Sequence, residues 1–462
     1  MNQESIRSAS WRRAEKNQGY AAITATMVVL VLSLTLLTSF SFFTLSEVQG
    51  SRLFRDSIEA RTAAEGGVED MLYRAVTGRK IDPLETSTIG SSTITATLTT
   101  AGSSKTLQVA SARGSAQQRM EARIFLVTTN AKFFYGAQVG EGGLTMENNS
   151  RIEGSVFSNG TIAGDQGVTI TGDAFAAGTT TIKNITVNGN AHASRIEQST
   201  IGGSASSTTK LVDVIVGKDA HADELVDTKV NRDAYYRLID RTSVVLGSRF
   251  PGSQAPAQLE PLPLPISDET VAKWKQDAAG LGTISSGTCA NEWTPPQSPY
   301  TVSGGVIERT LKLTNNQVLI LKGTVFVKCN VDISNGATIR LDPVYGDASG
   351  VLIADGWMHL QNTGAFQGSG KTGSYLMLLS TATGGGHHGS AMDLHNNATG
   401  AIFYAGHGMI FLHNNVEVTE LVGNTVSIDN SAGLVYERGL ENVMFSAGPG
   451  GGYDIIYWKR VE

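Results

Sequence analysis

Ile152-Glu-Gly-Ser-Val-Phe-Ser158, Ile170-Thr-Gly-Asp-Ala-Phe-Ala176 and Val187-Asn-Gly-Asn-Ala-His-Ala193 are three copies of one pattern. Their glycines, Gly154, Gly172 and Gly189, stand 18 and 17 residues apart. Val216-Gly-Lys-Asp-Ala-His-Ala222 is a looser copy. A fixed period of about 20 residues, with short strands and Gly/Asn corners, marks a β-solenoid. One coil cannot bury its own apolar stripe, so coils stack and their strands pair in parallel. Asn159-Gly160 alone would suggest a hairpin; the period makes it a solenoid corner.

A second repeat lies nearer the C-terminus: Leu360-Gln-Asn-Thr, Leu394-His-Asn-Asn, Leu412-His-Asn-Asn and Ile428-Asp-Asn-Ser. Apolar strands such as Gly350-Val-Leu-Ile-Ala and Gly400-Ala-Ile-Phe-Tyr run between them. Asparagine tolerates left-handed backbone, and stacked amides can bond from coil to coil. Asn335, Asn362, Asn396, Asn414 and Asn430 are therefore expected at the corners of a right-handed parallel β-helix. Between the two repeats, Val230 to Val245 has helical spacing. Five of the 11 prolines fall in Phe250–Ile266 and predict an extended spacer. Ser267, Asp268 and Glu269 read as the capped, acidic start of a short helix through Lys273, Trp274 and Ala279. Ile89 to Thr128 alternates as strands do and predicts a small antiparallel sheet.

Composition agrees with a β protein rich in tight turns: 52 glycines, 17% charged residues and a net charge of −6 over 462 residues. Collagen is excluded because glycine has no strict period and proline is scarce. A pI of about 5.8 leaves no basic field for nucleic acid.

The N-terminus sets the compartment. Asn17 to Ser46 holds no charged residue, and its apolar run from Tyr20 to Leu45 is long enough to cross a bilayer. Arg7, Arg12, Arg13 and Lys16 precede it, which predicts a cytoplasmic N-terminus and an extracytoplasmic remainder. Beyond Ser46 the helical spacing continues through Val48, Phe54, Ile58, Val68, Leu72 and Val76, mixed with charges. A membrane helix that runs on as an amphipathic helix resembles the stalk of a type IV pilin.

Asn17-Gln-Gly-Tyr-Ala-Ala-Ile23, the apolar helix and Ala60-Arg-Thr-Ala-Ala-Glu-Gly-Gly-Val-Glu-Asp-Met-Leu-Tyr73 resemble the N-terminal domain of PilX-type minor pilins. The resemblance covers about the first 80 residues. It implies cleavage by a prepilin peptidase between Gly19 and Tyr20. Thr24 occupies the position of the glutamate usual in pilins. The C-terminal half, with its ending Asn442-Val-Met-Phe-Ser-Ala-Gly-Pro-Gly-Gly-Gly-Tyr453, resembles the β-helical domain often fused to such N-termini.

The expected fold is thus mainly β, with a transmembrane pilin-like helix, a β-strand region and a right-handed parallel β-helix. The expected divisions are a leader (1–19), the helix (20–79), a small antiparallel region (80–130), a short solenoid (131–225), a helical and Pro-rich linker (226–281) and the β-helix (282–462). Cys289 and Cys329 lie outside the membrane on this topology, where a disulfide forms readily; two buried thiols are the alternative. Gly368-Ser-Gly-Lys-Thr372 is half a P-loop, misspaced and followed by a strand, so nucleotide binding is not expected. His387, His388, His395, His407 and His413 raise a metal reading. His395 and His413 fall at one repeat position, one coil apart, and could hold zinc with a third ligand. Gln361 and Asp429 fill that position elsewhere, so an exposed polar corner is expected and no metal or cofactor is assigned. Asp355, Asp393 and Asp429 are scattered in sequence, which argues against a glycan-cleaving carboxylate pair.

The function expected is non-enzymatic: a minor-pilin-like surface protein displaying a β-solenoid for adhesion or filament priming. Its expected partners are membrane lipid, other pilins or pseudopilins, the assembly platform, a prepilin peptidase and surface glycan, without nucleic acid. The alternatives are a signal-anchored scaffold that self-associates through open strand edges, and a membrane-tethered polysaccharide enzyme.

Overall fold

The computed structural model describes residues 4–76, 82–101, 104–126, 128–131, 133–362, 364–384, 386, 389–395, 402–446 and 453–461. It is mainly β, with one long apolar N-terminal helix followed by a parallel β-solenoid of about 16 turns.

Helix α1, Glu4–Val76, is unbroken over 73 residues. Its apolar half lies open: Met27, Leu30, Leu34, Leu37, Phe40 and Phe43 are all exposed. Its second half does bury a face. Ala63, Ala64, Val68, Met71 and Leu72 pack on Ile94, Ala96, Leu107, Val109, Ala122 and Ile124. These sheet residues come from an antiparallel sheet of β1 (Leu84–Ile89), β2 (Ser92–Ala101), β3 (Ser104–Arg113) and β4 (Ala116–Leu126). Small residues on the helix allow close approach; a Cβ at Gly67 would stand 3.0 Å from Val109. Arg113 clamps the helix through Asp56 at 3.0 Å and through Glu59.

The fifth strand of this sheet is the C-terminal segment Tyr453–Val461, antiparallel to β4 from Leu126↔Tyr453 to Arg119↔Val461. The whole solenoid is therefore an insertion between β4 and that strand. The expected β-helix division (282–462) had taken in this segment, because local alternation does not name a strand's partner.

The solenoid starts in its own middle. From Ala137–Met146 the coils climb to Arg249–Pro251. The chain then returns, restarts at Thr283–Ser285 and works back to Gly433–Val435. There the last coil pairs in parallel with the first, from Leu421↔Ala137 to Ile428↔Met146, and Gly433–Val435 pairs with Arg151–Glu153. Both halves thus share one core. Entry and exit are tied by an antiparallel pair, Thr128–Ala131 with Val443–Ser446.

The repeat follows from two residue types. Ile152, Ile170, Val187, Ile201, Val216 and Val230 form one column, all fully buried. At Gly172 and Gly189, the amide bonds the preceding glycine's carbonyl at 2.9 and 3.1 Å. A Cβ at either would stand 2.5 Å from that carbonyl oxygen, so the coils can stack this closely only with glycine there.

Val230–Val245 is not helical. Lys229–Val230, Ala234–Ile239 and Val244–Val245 are three further strands of the stack. Val230 and Val245 extend the buried column, and pairing with the preceding coil overrides the helical spacing. The proline-rich segment is extended as expected, and it lies on the solenoid as a strap. His221 meets the Gln254 carbonyl at 2.7 Å and His192 meets that of Ala257 at 3.1 Å. Asn159 donates to Leu262 at 2.7 Å and Gln138 to Pro263 at 2.8 Å. The strap therefore runs down the first half, coil by coil. It ends in α2, Asp268–Gly280, N-capped by Ser267. Trp274 and Val271 of α2 cover a second apolar layer with Phe326, Ile353, Leu379, Tyr404 and Phe445.

Glu420 is paired with Ile402 at the start of Glu420–Ile428, the strand that forms the seam between the two halves. It is fully buried, with neither carboxylate oxygen hydrogen-bonded among the described residues. Burial pushes its carboxyl well above the usual range. An unfolded glutamate titrates near about 4.3. Above that pH the folded chain keeps a proton that the unfolded chain has released, so stability falls as pH rises, by up to about 1.4 kcal/mol per unit. Glu420→Gln is expected to raise the thermal midpoint at pH 8, with the gain closing toward pH 4. Parallel midpoint curves for the two proteins would refute this assignment.

Candidate functional site

The sequence-derived candidates fall in four places. Gly19 and Tyr20 lie within α1, ahead of the open apolar run, and Tyr20 is exposed. Thr24 donates its hydroxyl to the Tyr20 carbonyl at 2.8 Å. Thr26, Ser33, Thr38, Ser39 and Thr44 likewise bond carbonyls one turn back. These hydroxyls are thereby satisfied without water, the condition a helix meets in lipid. By length and composition this helix is long and apolar enough to cross a membrane.

The corner asparagines divide. Asn335, Asn362 and Asn430 have φ of 54°, 54° and 37°, the left-handed backbone expected of them. The Asn362 amide donates to Asn335 at 3.3 Å, and Asn335 to Thr314 at 3.3 Å. Across the seam, Asn148 donates to Asn430 at 2.9 Å. Asn414 departs from the expectation. Its turn closes from the Val416 amide to the His413 carbonyl, and Asn415, at φ 57°, takes the left-handed place. A turn of this kind needs positive φ only at its second central residue, so the role moves one position along. Asn396 lies outside the described residues.

Cys289 and Cys329 form a disulfide, with Cα atoms 5.3 Å apart. It joins the loop before Glu292–Trp293 to the strand-end at Val325–Val327, stapling the outer end of the C-terminal half.

The fourth place is a polar cluster on the solenoid face. In Val331-Asp-Ile333, Met358-His-Leu360 and Met392-Asp-Leu394 the outer residues are buried in the core. The central ones stack in register as Asp332↔His359 and His359↔Asp393, with Phe411 next. The adjoining corner column carries His395 and His413. Their rings are stacked, 3.7 Å between centroids and 8° apart in plane. Their Nε2 atoms lie 3.0 and 2.7 Å from the same Asp393 oxygen. His359 stands edge-on to His395, at 5.5 Å and 87°. Nδ1 of His359 lies 3.8 Å from Asp332.

This corner is not the exposed one expected. Asp393 is 1% exposed, and the His413 and His395 side chains are 12% and 25% exposed. Aromatic stacking with His395 and Phe411 shields His413. The sequence had flagged His395 and His413 as neighbours but left out His359 and set Asp393 apart. The missed signal was the shared Met-x-Leu frame of Met358–Leu360 and Met392–Leu394, which puts the two central residues on one column. His407 belongs elsewhere and pairs with Asp268 at 2.8 Å. His387 and His388 lie outside the described residues. Asp355 is on another face, paired with Lys275 of α2. Lys371 sits in an exposed turn after Gly370, with no helix following.

No family model and no curated protein sequence matches the chain. Among solved structures the chain is similar to competence-associated pilin ComZ from Thermus thermophilus. The two are 12% identical over 88% of this chain and 97% of that one. The TM-score of 0.27 marks a superposition too poor to transfer fold or role.

The staple closes a loop with a sequence separation of 40. In the chain-entropy model such a bridge stabilises by ~4 kcal/mol. The non-reduced, denatured protein is expected to show no reactive thiol, and Cys289→Ser/Cys329→Ser to lower the thermal midpoint. Two titratable thiols without reductant would contradict the bridge.

Proposed function

We propose that the protein is a membrane-anchored, pilin-like surface protein that holds a β-solenoid outside the cytoplasmic membrane. The observation that carries this reading is the division of labour along α1. One continuous helix leaves an uncharged apolar half fully open and buries its other half against a sheet. An open apolar surface of that size calls for lipid or other apolar helices as its surroundings. The four basic residues ahead of it favour a cytoplasmic N-terminus. The antiparallel sheet of β1–β4 and Tyr453–Val461, the head sheet, then stands next to the membrane, and the solenoid inserted in it is displayed beyond.

The resemblance of about the first 80 residues to PilX-type minor pilins supports a place in type IV pilus assembly, with other pilins and the assembly platform as partners. In that setting the solenoid serves adhesion or filament priming, and a prepilin peptidase removes residues 1–19.

The N-terminal sequence and mass of the protein from its native membrane test this. A chain beginning at Tyr20 is expected. A chain beginning at Met1 would refute prepilin processing and leave a signal-anchored scaffold.

A further inference from the structure

We propose that His359, Asp393 and His395 form a binding site for a divalent transition-metal ion of the zinc class. His413, from the next coil, stacks on His395 and lies against the same carboxylate. The site is independent of how α1 is processed.

One ring nitrogen from each histidine and a carboxylate oxygen of Asp393 lie within 4.8 Å of one another. The two liganding rings are nearly perpendicular, at 87°, so they do not shut each other out of the space between them. Asp393 supplies an independent reason. It is 1% exposed, and among the described residues neither of its oxygens accepts a hydrogen bond. Its ion pairs among the described residues are both to histidines, and those nitrogens, 3.0 and 2.7 Å away, are not aligned as donors to it. A buried carboxylate without donors is costly unless it is paired or coordinates a metal. A dication among these groups would remove the cost, and the 3.0 Å separation of His395 Nε2 from the Asp393 oxygen, made without hydrogen-bond alignment, suits two ligand atoms of one ion.

The ligand chemistry narrows the ion. Two imidazoles and one carboxylate suit zinc, and also iron, cobalt or nickel, better than calcium or magnesium, which prefer all-oxygen shells. Three protein ligands leave a coordination position open. The His395 side chain is 25% exposed, so solvent reaches the cluster and water or an oxygen donor of a ligand can fill that position. Bound there, the ion would tie the coil of Met358–Leu360 to that of Met392–Leu394. His413, stacked on His395 and 2.7 Å from Asp393, acts as a positioning residue.

The test uses the full chain in detergent, stripped with chelator and reloaded with Zn²⁺ alone. Metal content after desalting is read by mass spectrometry, and Co²⁺ loading gives a visible ligand-field spectrum. About one equivalent per chain is expected. Asp393→Asn and His359→Gln should each lose it, and His413→Ala should weaken it roughly tenfold. His407→Ala and the double variant His387→Ala/His388→Ala should keep it. Circular dichroism in chelator checks that each variant is folded. If Asp393→Asn does not fold, His359→Gln decides alone. No retained metal in the wild type, full retention in His359→Gln, or loss only in His387→Ala/His388→Ala would overturn the proposal.

Discussion

Everything in the solenoid depends on the seam where Glu420–Ile428 pairs with Ala137–Met146. Two separate half-solenoids would present four open ends, each a row of unpaired backbone groups. The seam removes two of them by pairing strands nearly three hundred residues apart in the chain. It also explains the return path. A chain that leaves the middle, climbs to one end and must finish in the middle needs a connection down the outside. The proline-rich strap supplies it, held by carbonyl contacts to His221, His192, Asn159 and Gln138. Because entry and exit both lie at the seam, Tyr453–Val461 is free to close the head sheet against β4.

The head sheet in turn gives α1 its second face. Ala63, Val68 and Met71 are buried only because β2, β3 and β4 present Ile94, Val109 and Ile124 to them. The apolar half of the same helix receives no such cover. A single helix thus links a solenoid rich in buried Ile and Val to a surface that water solvates poorly. That linkage, and not any detail of the solenoid, underlies the anchored reading.

What was legible in the sequence was local or periodic. The glycines at Gly154, Gly172 and Gly189 announce the coil, because close stacking forbids a Cβ there. Ser267 announces α2 through its cap. Longer-range facts were not legible. Nothing near Leu421 says that its neighbour is Ala137, and nothing near Tyr453 says that it belongs to the head. Val230–Val245 misled because spacing that fits a helix also fits successive coils. The polar cluster was half visible. His395 and His413 share a repeat position, but Asp393 and His359 join them only once strands pair in register. The Asn414 to Asn415 shift turns on which turn position needs positive φ, a backbone detail the repeat does not encode.

The seam is tested most directly by cysteine pairing across it. Asn148 and Asn430 face each other there, 2.9 Å apart, and the native cysteines are already bonded to one another. In the full chain carrying Asn148→Cys and Asn430→Cys, the two cysteines are predicted to cross-link under mild oxidation. Protease fragments from the two halves should then stay joined until reductant is added. Failure of that pair to cross-link, while an Asn335→Cys/Asn362→Cys pair within one half does so, would contradict the single continuous solenoid.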